Sequence, residues 1–253
     1  MEGIVRRFLL EVAYKGTRYS GFQRQENAIT IQSEFERALG VYFRRAFELT
    51  GSSRTDAGVH ARQNYFHVDQ TAITLEEMRR AVYGVNAILP EDIVWNGVWE
   101  VEGGFHARFD ASFREYEYTV YQKKDPFLVG EGYYFPFRLD GDAMMAAAEK
   151  LVAERDYGMF SKKHTQVKNH VCRIHKSEWE IDGDVLRYRV RGNRFLRGMV
   201  RGLVGTMLRV GRGKMDVRTW EQLLIGENEG VDFSAPAMGL SLIEVHYGGK
   251  LKK

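Results

Sequence analysis

VCRIHKSEWEIDGDVLRYRVRG, residues 171–192, decides how the second half of this 253-residue chain folds. Two runs rich in β-branched and aromatic residues flank Asp182-Gly183-Asp184, a turn composition that joins antiparallel neighbours. Upstream, SFREYEYTVYQ (112–122) reads as a further strand, and DGDAMMAAAEKLVAE from residue 140 predicts a helix opened by an Asp cap. Downstream come a glycine-punctuated helix over about 194–210, a short helix around Trp220 and a closing strand, LSLIEVHY (240–247). The order is β-α-β-β-α-β, the ferredoxin-like arrangement.

The first half repeats that order. RFLLEVAY (7–14) reads as a strand, and a helix follows from about Ile31, with Phe35, Ala38, Leu39, Tyr42 and Phe43 at helical spacing. Residues 46–51 and RQNYFHVD (62–69) read as strands. Thr74 and Glu77 form a capping box, and their helix is expected to bury Leu75, Met78, Val82 and Val85 and to end before Pro90. DIVWNGVWEV (92–101) supplies the last strand. The expected fold class is α+β: two ferredoxin-like halves, 1–104 and 105–253, joined into an extended antiparallel sheet with helices on one side.

Hydrophobic content of 44% belongs to a folded chain. The single cysteine, Cys172, excludes an intrachain disulfide and a Cys-based zinc cluster, and fits a reducing cytoplasm. In MEGIVRRFLLEVAY, Glu11 breaks the apolar run after three residues, so the segment is expected to be a strand rather than a leader. No stretch approaches the roughly 18 apolar residues of a membrane span.

Net charge is only +3, yet it is unevenly spread. Residues 187–218 hold nine arginines, Lys214 and one acid, Asp216, so this segment carries +9 and the rest of the chain −6. Such asymmetry is either a solvated basic face or the footprint of a phosphate-rich partner. The dominance of arginine, whose planar fork suits phosphate and base edges, favours the partner. Within the 194–210 helix, Gly198, Gly202 and Gly205 each cost about 1 kcal/mol relative to alanine. Close approach of another backbone would explain them. Arg201 is the arginine best placed to leave that contact.

The candidate chemistry lies in GSSRTDAGVHA (51–61). Asp56 before Ala-Gly is ordinary turn composition, but Arg54 two residues earlier suits a carboxylate kept ionised and directed. A metal site built on Asp56, His60 and His67 fails on number and spacing, because residues seven apart along a strand face opposite sides. Walker, GxGxxG and GxSxG motifs are missing, which leaves nucleotide hydrolysis, redox and serine chemistry without their parts. A lone carboxylate beside arginines points to cofactor-free chemistry on a nucleic acid. Tyr116 and Tyr118, on one strand face, are either base platforms or core residues.

These residues resemble a known family. SRTDAGVHA is similar to the core motif of the tRNA pseudouridine synthase A family, and the likeness extends through YKGTRYSGFQRQ (14–25), VNAILPEDI (85–93), FHARFDASFREYEYTVY (105–121), NRFLRGMVRGLVGTMLRVGRG (193–213) and GLSLIEVHY (239–247). The resemblance implies the pseudouridine synthase fold and isomerisation of uridine to pseudouridine in the anticodon arm of tRNA, with no metal and no cofactor. It makes Asp56 the catalytic carboxylate. Tyr116 is expected to stack on the target base and assist loss of the C5 proton, and Arg201 to pair with Asp56. Arg54 is expected to displace the target nucleotide, Leu240 to line the base pocket, and Arg24, Arg194 and Arg197 to bind the RNA. A cytoplasmic homodimer, each tRNA spanning both subunits, is implied as well. This chain departs from the family pattern at Ser53, at Phe22, and in FSKKHTQVKNHVC (160–172), where Lys162, Lys163 and His164 stand in for a usual arginine.

Overall fold

The computed structural model describes residues 5–162, 169–226 and 230–251; Lys163 and His164 lie outside the described residues. Two compact units are present, Met1–Ser112 with Leu242–Lys253, and Phe113–Ser241. Among the described residues there are ten strands and five helices, an α+β protein.

The first unit runs β1 (Arg6–Tyr14), α1 (Ile31–Phe43), β2 (Thr50–Gly51), β3 (His60–Gln70), α2 (Leu75–Asn86) and β4 (Ile93–Val101). Strand β1 lies between β4 and β3, antiparallel to both. Strand β2 and the late residues of β10 (Leu240–His246) take the other edge of β3. Both helices open on reciprocal caps. Ser33 N–H donates to Thr30 Oγ1 at 3.2 Å while Thr30 N–H donates to Ser33 Oγ, and Thr74 and Glu77 repeat the exchange. The core centres on Phe66, whose ring stacks on Phe22 at 4.4 Å and on Phe35 at 5.7 Å.

Two expectations need correction here. The predicted 46–51 strand shrinks to Thr50–Gly51 because α1 side chains take the backbone groups of Leu49. Leu49 N–H donates to Glu36 Oε1 at 3.0 Å, and its carbonyl accepts from Gln32 Nε2 at 2.8 Å. In α2 the buried positions are Met78, Ala81 and Val85, while Leu75 and Val82 are only half-buried. The inward stripe keeps the expected Met78 and Val85 but passes through Ala81 rather than Val82.

The second unit runs β5 (Phe113–Tyr121), β6 (Tyr133–Tyr134), α3 (Gly141–Glu149), β7 (Glu154–Asp156), β8 (Val171–Asp182), β9 (Val185–Gly192), α4 (Met199–Gly211) and α5 (Val217–Leu224). Its strands pair antiparallel in the order β5-β9-β8-β7, and the short β5–β6 pair is parallel. Gly183 takes φ 56° in the β8–β9 turn, the left-handed conformation that a tight hairpin needs. The predicted 194–210 helix starts only at Met199, because Gly198 adopts φ 73° and breaks helical continuity before it. Helix α4 is buried almost all round, and the expected close backbone approach is real. A Cβ on Gly205 would sit 2.3 Å from the Asp232 carbonyl oxygen, and one on Gly202 would be 2.9 Å from the Phe233 ring.

Candidate active site

Residues 53–56 alternate along the chain: Ser53 and Thr55 are buried, Arg54 is exposed and Asp56 is half-buried. Arg54 and Asp56 are thus the more open positions of the stretch. The chain then reverses. Val59 N–H donates to the Asp56 carbonyl at 3.1 Å, and Gly58 takes φ 81°, the value a type II turn demands at its third position.

This loop is held by partners distant in sequence. Asn64 of β3, fully buried, donates from Nδ2 to the Ser53 carbonyl (2.8 Å) and to Tyr14 Oη (3.1 Å), and its Oδ1 accepts from Ser53 N–H (3.2 Å). The Tyr14 hydroxyl in turn meets Thr55 Oγ1 at 2.8 Å. Removing one member of such a buried network leaves another polar group unsatisfied, a cost of about 1–3 kcal/mol. Ser52 Oγ donates to the Ala107 carbonyl at 2.7 Å, and Tyr247 Oη reaches both groups.

The YKGTRYSGFQRQ stretch forms the other wall. Phe22 N–H donates to the Thr55 carbonyl at 3.1 Å. A Cβ on Gly16 would lie 2.0 Å from the Val59 carbonyl oxygen, and one on Gly21, at φ 107°, 3.2 Å from that of Thr55. Gly16 N–H also donates to His60 Nδ1 at 3.0 Å, so buried His60 serves the scaffold. Asp92, from VNAILPEDI, anchors the wall from behind: it accepts from Tyr19 Oη at 2.5 Å and Arg18 Nε at 2.7 Å, and its carbonyl accepts from Lys15 N–H. Burial works to raise the Asp92 carboxyl, but hydrogen bonds from Arg18 and Tyr19 outweigh it and leave the group below the ordinary range. Arg24 closes the stretch, with Nη1 3.3 Å from Glu36 Oε2.

Asp56, Arg54 and Arg24 thus belong to the first unit; Tyr116, Arg194, Arg197, Arg201 and Leu240 belong to the second. On β5, Tyr116 and Tyr118 share the buried face, as their spacing predicts. Tyr116 meets Phe195 edge-on at 5.1 Å. Tyr118 Oη donates to the Pro236 carbonyl at 2.8 Å, and a Cβ on Gly239 would be 2.6 Å from the Tyr118 ring, which seats the residue before Leu240. Burial raises the Tyr118 hydroxyl well above the ordinary tyrosine range, against a smaller opposing effect of the Arg201 charge. Arg201 Nε donates to the Ala235 carbonyl at 2.7 Å, Asp232 N–H donates to Thr206 Oγ1 at 3.0 Å, and Arg209 Nη1 donates to the Gly230 carbonyl at 2.8 Å. The 230–236 segment is therefore strapped along α4. Sequence reasoning missed this strap; Gly202 and Gly205 were its trace. Arg194 is half-buried and Arg197 exposed beside it, and the aliphatic stem of Lys162 lies over Gly198.

The basic stretch divides into two classes of arginine. On the open face of β9, Arg189 Nε pairs with Glu117 Oε2 at 2.8 Å, and Arg191 Nε with Glu115 Oε2 at 2.7 Å. Arg191 also lies 4.6 Å over the Phe113 ring. Across on β8, Glu178 stands opposite Arg189 and Glu180 opposite Arg187, while Lys176 faces Arg191. Much of the positive charge between 187 and 191 is thus balanced across the sheet, whereas Arg194, Arg197 and Lys214 lie outside that ladder. Among the described residues no three His, Cys, Asp or Glu side chains gather as a metal set, and no helix is long and apolar enough to cross a membrane.

The profile of the family described as tRNA pseudouridine synthase matches residues 11–110 and 147–248. A tRNA pseudouridine synthase A of Parabacteroides distasonis is 37% identical over 248 residues, covering 98% of both chains. One from Staphylococcus aureus is 39% identical over 243 residues, covering 95% of this chain and 91% of its own. The matched segments include the Asp56 loop, its glycine wall and the α4 strap, so the chain belongs to the tRNA pseudouridine synthase family of isomerases.

Proposed function

We propose that this chain converts uridine to pseudouridine in the anticodon arm of tRNA, just 3′ of the anticodon, with Asp56 as its catalytic carboxylate. The N1–C1′ bond breaks, the uracil turns while held, C5 bonds to C1′, the C5 proton leaves to water, and N1 takes up a proton from water. Atoms and electrons balance without an oxidant, a reductant or a hydrolytic water. Nucleophilic addition by Asp56, to the ring or to the ribose, splits the rearrangement into two easier steps. The supporting observation is the loop itself: its carboxylate sits on a turn whose backbone is fixed at Ser53, Thr55 and Val59 by buried partners. Such fixation holds a nucleophile in an attack geometry before substrate arrives.

The remaining roles follow residue by residue. Tyr116 stacks on the target base and assists removal of the C5 proton, and Leu240 lines the base pocket. Arg201 supplies positive charge to the reaction, anchored at Ala235. Arg54, exposed beside Asp56, displaces the target nucleotide. Arg24, Arg194 and Arg197 bind phosphates, with A-form shape rather than base edges carrying recognition. The working form is a cytoplasmic homodimer.

The test uses tRNA tritiated at uracil C5. Tritium release without strand cleavage, unchanged by EDTA, is the expected result. Tight binding with no release would make the chain an RNA-binding module instead, and EDTA-sensitive cleavage would make it a nuclease.

A further inference from the structure

Beside Arg54, on the first unit, lies a cavity of 270 Å³ whose other rim residues, Arg108, His106 and Phe109, carry none of the roles above. Its wall is Phe22, and its rim carries Arg54, Arg108, His106 and Phe109. The volume falls just below the roughly 300–1,000 Å³ of pockets that take drug-sized ligands, a size suited to a single nucleoside.

The rim is built. Phe109 and Asp110 N–H both donate to the His106 carbonyl (3.1 and 3.0 Å), His106 N–H donates to Asp110 Oδ2 at 2.7 Å, and Arg108 N–H donates to His106 Nδ1 at 3.1 Å. Lys250 Nζ pins Asp110 from outside. On this locked turn Phe109 remains 74% exposed, its ring 4.3 Å from that of His106 and 5.6 Å from the Arg108 guanidinium. Across the cavity Phe22 is held by Gly51, where any Cβ would meet its ring at 2.4 Å. The turn is also tied to the Asp56 loop, since the Ala107 carbonyl accepts from Ser52 Oγ.

An exposed aromatic ring on a hydrogen-bonded turn, with a guanidinium 5.6 Å from its centre, matches an unstacked nucleobase and its phosphate. A protein partner would fit it poorly, because the rim is cationic and polar. We propose that this cavity is a second nucleobase site: Phe109 stacks on an unpaired base of the RNA loop while Arg108, on the same turn, holds its phosphate. That assignment deepens the tRNA reading and rests on it. Holding a neighbouring loop base out of its stack would keep the strand open while the target uridine turns.

The experiment measures affinity for a synthetic anticodon-arm hairpin and for a blunt, fully paired RNA of the same length, using wild type, Phe109→Ala and Phe109→Trp. Phe109→Ala should weaken hairpin binding by roughly 5- to 150-fold, the range for loss of one base–aromatic stack. Its affinity for the paired RNA should not change, and Phe109→Trp should restore hairpin binding. Equal loss on both RNAs, no loss on the hairpin, or no rescue by tryptophan would overturn the proposal. Tritium release by wild type is measured alongside: its absence sinks the isomerase reading, whereas the affinity pattern alone decides the second site.

Discussion

A methyl group on Gly16 would stand 2.0 Å from the Val59 carbonyl oxygen, so either the Asp56 turn or the 14–22 wall must move to admit it. Misplacement of a nucleophile by about 1 Å costs up to about 100-fold in rate. Gly16→Ala is therefore expected to lower single-turnover rate at least tenfold while tRNA affinity, read by filter binding, holds; an unchanged rate would show that the wall does not position the loop. Gly16 illustrates what sequence reading leaves out. Asp56 and Arg54 were visible because a charged pair before Ala-Gly is locally odd. Asn64, Tyr14, Gly16 and Asp92 act on the loop across 11 or more residues, and each alone has an ordinary composition.

His67, on β3, is an element-level probe. Its Nδ1 accepts from Ala107 N–H at 3.2 Å, and burial, with smaller contributions from the Arg7 and His106 charges, pushes its pKa down to about 4. An unfolded histidine titrates near 6.5, so between about 4 and 6.5 the unfolded chain binds more protons and stability rises with pH. Above that window the contribution is complete. Wild type should lose stability relative to His67→Gln as pH falls from 6.5 towards 4, at up to about 1.4 kcal/mol per pH unit; parallel denaturation profiles would contradict this. At this scale local signals served well. The Thr74–Glu77 capping box, the Gly183 turn and the Asp140 cap, whose side chain accepts from Ala143 N–H, form where their residues predict. The misses were tertiary. Strand β2 is short because Gln32 and Glu36 reach Leu49, and α4 starts late because Gly198 turns left-handed.

For the whole molecule, counting charge overstated the unbalanced positive charge of residues 187–218. Arg189 and Arg191 face Glu117 and Glu115, which sequence distance concealed and the β5–β9 register brings opposite. Each phosphate contact contributes about 0.7–0.9 to the slope of log affinity against log salt. Arg197→Gln is expected to reduce that slope by about this amount, while Arg189→Gln leaves it unchanged and lowers thermal stability. Equal slopes for both variants would put the ladder arginines on the RNA. The isomerisation proposed above turns on the carboxylate of Asp56. Asp56→Asn keeps size and turn geometry and removes the nucleophile, and pseudouridine is quantified by nucleoside chromatography after incubation with tRNA. Unchanged tRNA affinity and no pseudouridine above the protein-free blank are expected; pseudouridine formed at the wild-type rate would contradict the assignment.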